Sequence, residues 1–272
     1  MQAFSAWAPP AGTLGRILGE AERRVEGLRR RRAELERAAA ATVPGPSLAA
    51  SLRRGDEVAV LAEVKRASPS KGAINPGLDA VAQARAYQVG GALGISVLTE
   101  PAHFGGSNED LEAIRTAVDI PVLKKDFHVH PVQLVEARAL GASAVLLIAR
   151  ALAPAGLRDL AAEAEALGLE VLVEVRDEWE LERALETAAR LVGVNNRNLE
   201  TLAIDVSSSD RLIPAIPADR VAIAESGMRT EADVARAAAA GADAVLVGSS
   251  LSAASDPAAA VRALTGVPRG SR

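Results

Sequence analysis

From Val58 onward, short apolar runs alternate with alanine-rich amphipathic stretches. The runs are Val58–Val64, Leu93–Leu98, Pro121–Lys124, Ala144–Ile148, Glu170–Val175, Leu191–Asn195, Val221–Ala224 and Ala244–Val247. Continuous Val, Leu and Ile without polar alternation mark strands buried on both faces, as in a parallel sheet. Between the runs the spacing predicts helices over Asp79–Val89, Asn108–Val118, Pro131–Leu140, Ala155–Leu167, Glu178–Ala189, Ser207–Ile213, Thr230–Ala240 and Pro257–Leu264. Gly90, Gly141, Gly168 and Gly241 stand where helix C-caps belong. Eight strand–helix units point to an α/β fold, a (β/α)8 TIM barrel. A doubly wound open sheet is weakened by that count and by the lack of a G-x-G-x-x-G fingerprint.

Ahead of the first run, Leu14–Ala41 reads as one charged helix. Arg23, Arg24, Arg29 to Arg32 and Arg37 alternate with Glu20, Glu22, Glu26, Glu34 and Glu36. Ile17, Val25, Leu28 and Leu35 form a sparse apolar stripe. The Arg29–Arg32 run reads as a solvated face with Glu–Arg pairs rather than an anion patch, because the acids nearly cancel its charge. Val43-Pro-Gly-Pro-Ser47 then breaks the helix. The expected organisation is one domain over 1–272, with a helical extension at 1–47 and the barrel at 48–272. Residues 1–12 lack the cationic start and apolar run of a signal peptide. The most apolar stretch, around Ala144 to Ala149, is far short of the roughly 20 residues of a membrane helix. A cytoplasmic protein without membrane contact is expected.

Composition narrows the chemistry. The 272 residues carry 31 Lys+Arg against 35 Asp+Glu, a formal net charge of −4, and no cysteine. Disulfides, zinc–cysteine sites and cysteine nucleophiles are therefore excluded, and a basic nucleic-acid binder is disfavoured. Alanine supplies 58 residues, which suits helices packed closely on a barrel. Only three Phe, two Trp and one Tyr are present.

In a barrel of this kind the active site lies at the C-terminal strand ends. The charged residues that end the apolar runs are Glu63, Lys65, Lys125, Glu174 and Glu225. Glu63 and Lys65 are two apart, so both can face the mouth. Any one of them alone reads as half of a structural ion pair. Five converging in one mouth read as paired acids and bases that shift each other's pKa values. Ser226-Gly227 and Gly248-Ser249 follow the seventh and eighth runs, where this fold binds phosphate. Arg197 suits a substrate carboxylate or phosphate. His103, His128 and His130 form no clear metal pattern and read as surface or loop residues. Ser207-Ser208-Ser209-Asp210 reads as the start or cap of a short helix.

These residues also carry a resemblance. Leu61-Ala-Glu-Val-Lys-Arg-Ala-Ser-Pro-Ser-Lys-Gly72 closely resembles the first-strand signature of the indole-3-glycerol-phosphate synthase family. The likeness continues through Ile95-Ser-Val-Leu-Thr-Glu100, Phe104-Gly-Gly-Ser107, Lys125-Asp-Phe127, Leu172-Val-Glu-Val175, Gly193-Val-Asn-Asn-Arg197 and Ala224-Glu-Ser-Gly227. It spans essentially the whole chain. Asn198, where the family leads one to expect Asp, is a minor departure.

The resemblance implies a lyase of tryptophan biosynthesis. It would convert 1-(2-carboxyphenylamino)-1-deoxyribulose 5-phosphate to indole-3-glycerol phosphate, carbon dioxide and water, without metal or organic cofactor. It implies Lys125 as general acid at the carbonyl, and Glu174 as base or charge stabiliser. Lys65 would anchor substrate or act as the dehydration acid, while Glu63 and Glu225 tune the lysines. Asn195 and Arg197 would hold the reactive conformer and the carboxylate, with Ser68 helping at the anionic groups. Ser226, Gly227, Gly248 and Ser249 would take the phosphate. Phe104, Phe127 and Leu199 would wall the aromatic ring. The partner implied is a small phosphorylated substrate, and the expected assembly is a monomer or weak homodimer. Two alternatives stay open: another phosphate-substrate barrel such as phosphoribosylanthranilate isomerase, or a non-catalytic phosphate-binding barrel. The absence of cysteine counts against the isomerase, which typically uses one as a base.

Overall fold

The computed structural model describes residues 7–272. Residues 1–6, the start of the segment read above as lacking a signal peptide, lie outside the described residues. Eight parallel strands close into a barrel: β1 (Ala59–Val64), β2 (Gly94–Leu98), β3 (Val122–Lys125), β4 (Ala144–Ile148), β5 (Glu170–Val175), β6 (Leu191–Asn195), β7 (Val221–Glu225) and β8 (Ala244–Val247). Each strand pairs with the next in sequence, and β1 closes the ring against β8. The TIM barrel expected from the pattern is present, with helices before its first strand.

Strand alternation sorts the side chains into two populations. Val60, Ala62, Val145, Leu147, Val171, Val173, Val192 and Val194 point outward and pack under the helices. Ala59, Leu61, Leu123, Leu146, Leu172, Leu191, Ile223 and Leu246 point inward and fill the barrel. Glu63, Lys125, Glu174, Asn195 and Glu225 continue the inward series at the C-terminal ends. Their phase is thus set by the leucines and isoleucine two residues before most of them.

The chain before the barrel closes both of its ends. The segment α1 (Gly12–Arg30) and α2 (Arg32–Ala41) was expected as one helix, but it bends at Arg31 (φ −99°, ψ 5°). On either side of the bend, Val25 of α1 and Leu35 and Ala39 of α2 pack with Val132 and Val135 of the helix Pro131–Ala139. Arg30–Glu26, Arg31–Glu34 and Arg32–Glu36 pair on the exposed side, as the solvated-face reading requires. Leu14 and Ile17 of α1 join the inward cluster beside Phe127 and Ile148. Arg24 of α1 forks onto the buried Asp126 at 2.7 and 3.0 Å, which fixes α1 over the mouth.

A third helix, α3 (Leu48–Leu52), has no periodic signature in five residues and was not expected. Its Leu48 and Leu52 are fully buried in the same inward cluster. The Glu170 carboxylate, at the start of β5, accepts from Ser47 Oγ (2.6 Å), Leu48 N (2.6 Å) and Ala49 N (2.9 Å). This holds the first turn of α3 against the N-terminal end of the barrel.

Other boundaries differ for local reasons. The left-handed residue after the helix Ala80–Gly90 is Gly91 (φ 102°), not Gly90, where a Cβ would collide with Ala258 and Val261. The expected helix to Ala189 stops at Leu185, and Thr187 Oγ1 then donates to Ala184 O. Short helices Pro101–Phe104 and Ser249–Ser252 and a hairpin of Ala67–Ser68 with Gly72–Ala73 lie in predicted loops. Among the described residues no helix is long and apolar enough to cross a membrane.

Because Leu48 plugs the barrel and contacts the space beside Gly94 and Leu61, Leu48→Ala is expected to cost about 2–5 kcal/mol. Chemical denaturation measures it, and a loss under about 1 kcal/mol would show that α3 does not seal the core.

Candidate active site

One cavity of about 240 Å³ opens at the C-terminal ends of the strands. Every predicted site residue lines it: Glu63, Lys65, Ser68, Phe104, Lys125, Phe127, Glu174, Asn195, Arg197, Leu199, Glu225, Ser226, Gly227, Gly248 and Ser249. The sequence reading missed the contribution of α1, whose Thr13, Leu14 and Ile17 also line it. Nothing local in the sequence connects that helix to the mouth. Lys71, inside the first-strand signature but given no role there, and Arg229, just beyond Gly227, were missed as well.

Lys125 sits at the centre. Its Nζ lies 2.9 Å from Glu225 Oε2, 3.7 Å from Glu63 Oε2 and 3.7 Å from Glu174 Oε2. Burial disfavours its charge, but Glu225, Glu63 and Glu174 outweigh burial and hold its pKa above the ordinary lysine range. Burial also works against Glu63, yet Lys65 at 2.6 Å and Lys125 hold that carboxyl below its usual range. Three carboxylates thus share two ammonium groups, and the surplus negative charge falls on Glu225. Burial pushes Glu225 up to about 7; Lys125 opposes the rise, while Glu174 and Glu63 add to it. Its Oε1 has no hydrogen-bond partner among the described residues.

Two glycines make room for these charges. A Cβ at Gly193 of β6 would collide with Glu225 Oε1. A Cβ at Gly248 would collide with Glu63 Oε1 and come within 2.9 Å of Lys65 Nζ. The second contact also locates Lys65: its ammonium lies over the loop that follows β8. The two lysines therefore hold different ground, Lys125 among the carboxylates and Lys65 between Glu63 and the Gly248 loop.

The remaining lining separates into an apolar wall and a polar rim. Glu100 accepts from the backbone of Ala102, His103 and Phe104 (3.0, 2.7 and 3.1 Å), starting the short helix that presents Phe104. The Phe104 and Phe127 rings stand 6.1 Å apart, tilted by 35°. Asn195 Oδ1 accepts from Arg197 N (2.9 Å), and Arg197 Nη1 donates to Leu202 O (3.0 Å), which shapes the loop carrying Leu199. Burial and the neighbouring Arg229 lower the Arg197 pKa. Ser226 (φ 63°) and Gly227 (φ 89°) turn the chain sharply after β7. Asn196 Nδ2 steadies that turn by donating to Ser226 O at 3.0 Å.

The histidines lie outside the cavity lining. His130 accepts from Val132 N as a helix cap, and His103 Nε2 lies 3.0 Å from Glu20 Oε2. Glu20, Glu100 and His103 bring potential ligand atoms within 4.8 Å of one another, but the Glu100 carboxylate is already used by three backbone donors. His128 is a loop residue as expected, yet it is buried; its Nδ1 lies 2.8 Å from Leu146 O, and burial pushes its pKa down to about 4.

A family profile described as indole-3-glycerol phosphate synthase matches residues 14–264. The indole-3-glycerol phosphate synthase of a Nocardioides species is 54% identical over 231 residues, covering 85% of this chain and 89% of that protein. Indole-3-glycerol phosphate synthase 1 of Streptomyces coelicolor is 52% identical over 228 residues, covering 84% of each. Among solved structures, mandelate oxidase with 3,3-difluoro-2-hydroxy-3-phenylpropionic acid superposes with a TM-score of 0.59 at 19% identity, covering 86% of this chain and 89% of that one. Thiamine phosphate pyrophosphorylase from Pyrococcus furiosus gives 0.57 at 16% identity, covering 78% and 95%. At such identities these two likenesses speak for the barrel alone.

The charge arrangement makes a direct prediction. In 13C-glutamate-labelled protein, the Glu225 side-chain resonance is expected to titrate near 7, and to move higher in Lys125→Ala because its one stabilising cation is gone. A Glu225 titration in the ordinary range near 4.5 would contradict the surplus-charge account.

Proposed function

The chain belongs to the indole-3-glycerol phosphate synthase family, and on that premise we propose how its own residues divide the reaction. The enzyme is a carboxy-lyase of tryptophan biosynthesis. It closes the ring of 1-(2-carboxyphenylamino)-1-deoxyribulose 5-phosphate and releases carbon dioxide, water and indole-3-glycerol phosphate.

Ring closure joins the carboxyl-bearing ring carbon to the ribulose carbonyl carbon. The carbonyl oxygen gains a proton as that bond forms. Lys125 is the proposed donor. Its raised pKa does not forbid this, since a developing alkoxide is more basic still, and the fixed cation stabilises that charge beforehand. The carboxylate then leaves as carbon dioxide and its electron pair returns to the ring. Dehydration needs a base at the carbon beside nitrogen and an acid at the departing hydroxyl. Glu174 is the proposed base. Lys65 is the proposed second acid or anchor, a role supported by its position between Glu63 and the Gly248 loop. Glu63 and Glu225 would hold and tune the two ammonium groups.

The substrate's other groups have matching receptors. The backbone N–H groups of Gly227, Gly248 and Ser249 with the Ser226 hydroxyl suit the phosphate. Arg197, Asn195 and Ser68 suit the carboxylate and the reactive conformer. Phe104, Phe127 and Leu199 suit the aromatic ring. Positioning contributes as much as proton transfer when two carbons must meet. The observation that carries the reading is Lys125 within 3.7 Å of three glutamates in the mouth cavity. We further propose that 1–47 and the barrel work as one domain, because α1 lines the same cavity. We also propose that the enzyme is a monomer or weak homodimer of the cytoplasm; Val43, Val89 and Ile204 are the large hydrophobics exposed among the described residues.

Purified protein mixed with the carboxyphenylamino substrate is expected to develop indole fluorescence and release carbon dioxide. Lys125→Ala is expected to fold and to lose about 10²–10⁴ in kcat. A folded Lys125→Ala with near-normal kcat would remove Lys125 from the acid role.

A further inference from the structure

Behind Glu174 lies a second, much smaller cavity of about 20 Å³. That is room for one water molecule. Glu174 and Asn195 line both cavities, so this space backs directly onto the reaction site. Glu180, a residue of the helix Glu178–Leu185 that the proposed chemistry does not use, also lines this space.

Glu180 is 2% exposed. Its Oε2 accepts from Arg176 N at 2.8 Å, which ties down the loop before the helix. Its Oε1 is buried and has no hydrogen-bond partner among the described residues. A glutamine would serve the loop equally well, so that bond does not explain a carboxyl here. The surrounding cations are committed elsewhere. Arg150 donates to Ala8 O and Glu200 Oε1. Arg183 of the same helix donates to Ala149 O and Leu152 O. Arg176 lies 3.8 Å from Asp177 Oδ2, and Arg197 donates to Leu202 O. No salt bridge to Glu180 forms among the described residues; Arg176 and Arg150 offset only part of the effect of burial and of Asp177. Burial, reinforced by Asp177, pushes its carboxyl up to about 7, where it exchanges protons readily at neutral pH.

We propose that a water molecule in this second cavity links Glu174 to Glu180, and that Glu180 receives the proton that Glu174 takes from the substrate. The inference rests on the reading of Glu174 as base. The substrate C–H bond breaks, its electron pair stays as the new carbon–carbon double bond, and Glu174 holds the proton. Glu174 then gives that proton to the water, which passes one of its own to Glu180 Oε1. Glu174 is again a carboxylate, and Glu180 discharges to solvent past the half-buried Arg150, Arg176 and Glu200. Such a rear exit lets the base reset while product still fills the mouth.

Rapid-mixing kinetics on Glu180→Gln tests the relay, with Glu174→Gln run in parallel. The first turnover of Glu180→Gln is expected at the wild-type rate. Its steady rate is expected to fall about tenfold and to recover as imidazole buffer is raised, while the wild type ignores buffer concentration. A steady rate equal to wild type, or a loss that includes the first turnover and ignores buffer, would overturn the relay. A Glu174→Gln protein with a normal first turnover would instead overturn the assignment of Glu174 as base. Glutamine keeps the bond from Arg176 N and removes an unpaired buried charge, so the variant is expected to fold; a melting curve checks this.

Discussion

A lysine held among three glutamates inside a closed barrel is the constraint on which the rest depends. Charges so close need a rigid frame and little water, or they would relax apart. The frame is strand alternation: Leu61, Leu123, Leu172 and Ile223 pack the interior, and the same phase brings Glu63, Lys125, Glu174 and Glu225 together two residues later. Space is so tight that Gly193 and Gly248 admit no Cβ. Burial in that frame, reinforced by Glu174 and Glu63 and opposed by Lys125, pushes the Glu225 carboxyl up to about 7.

The residues flanking Lys125 show how one short segment serves two environments. Lys125 faces inward, whereas Lys124 is buried on the outer side between Asp126 (3.4 Å) and Glu136 (3.1 Å). Asp126 also accepts from Thr99 Oγ1 at 2.8 Å and binds Arg24 of α1. Removing a partner from such a buried network is costly. The network therefore fixes the end of β3 and docks the helix that roofs the cavity. The N-terminal segment is part of the site from both sides: α1 covers the mouth, and α3 seals the floor.

Much of this was legible in the sequence because it rests on short-range periodicity. Unbroken apolar runs gave the eight strands within a residue or so, and alternation put Glu63 and Lys65 in phase. Fold geometry then sent every strand-end candidate to one cavity. What was not legible depends on contacts distant in sequence. The two helices that meet at Arg31 both pack on Val132 and Val135, about a hundred residues further along the chain. The helix Leu48–Leu52 forms on a carboxylate more than a hundred residues away, Glu170. His128 reads as a loop residue, and nothing near it announces that the loop is buried. Glu180 looks like an ordinary residue of a helix start, and only the cavity behind Glu174 sets it apart.

The central claim is that the three glutamates keep Lys125 protonated in the resting enzyme, ready to donate during ring closure. The most direct measurement is a pH titration of the Lys125 side chain by NMR in lysine-labelled protein, with the resonance assigned by its loss in Lys125→Arg. The account predicts that Lys125 keeps its proton above the ordinary 10.5 and still titrates above every exposed lysine in the chain. Titration at or below 10.5 would mean that burial outweighs the carboxylates, and the account would fail.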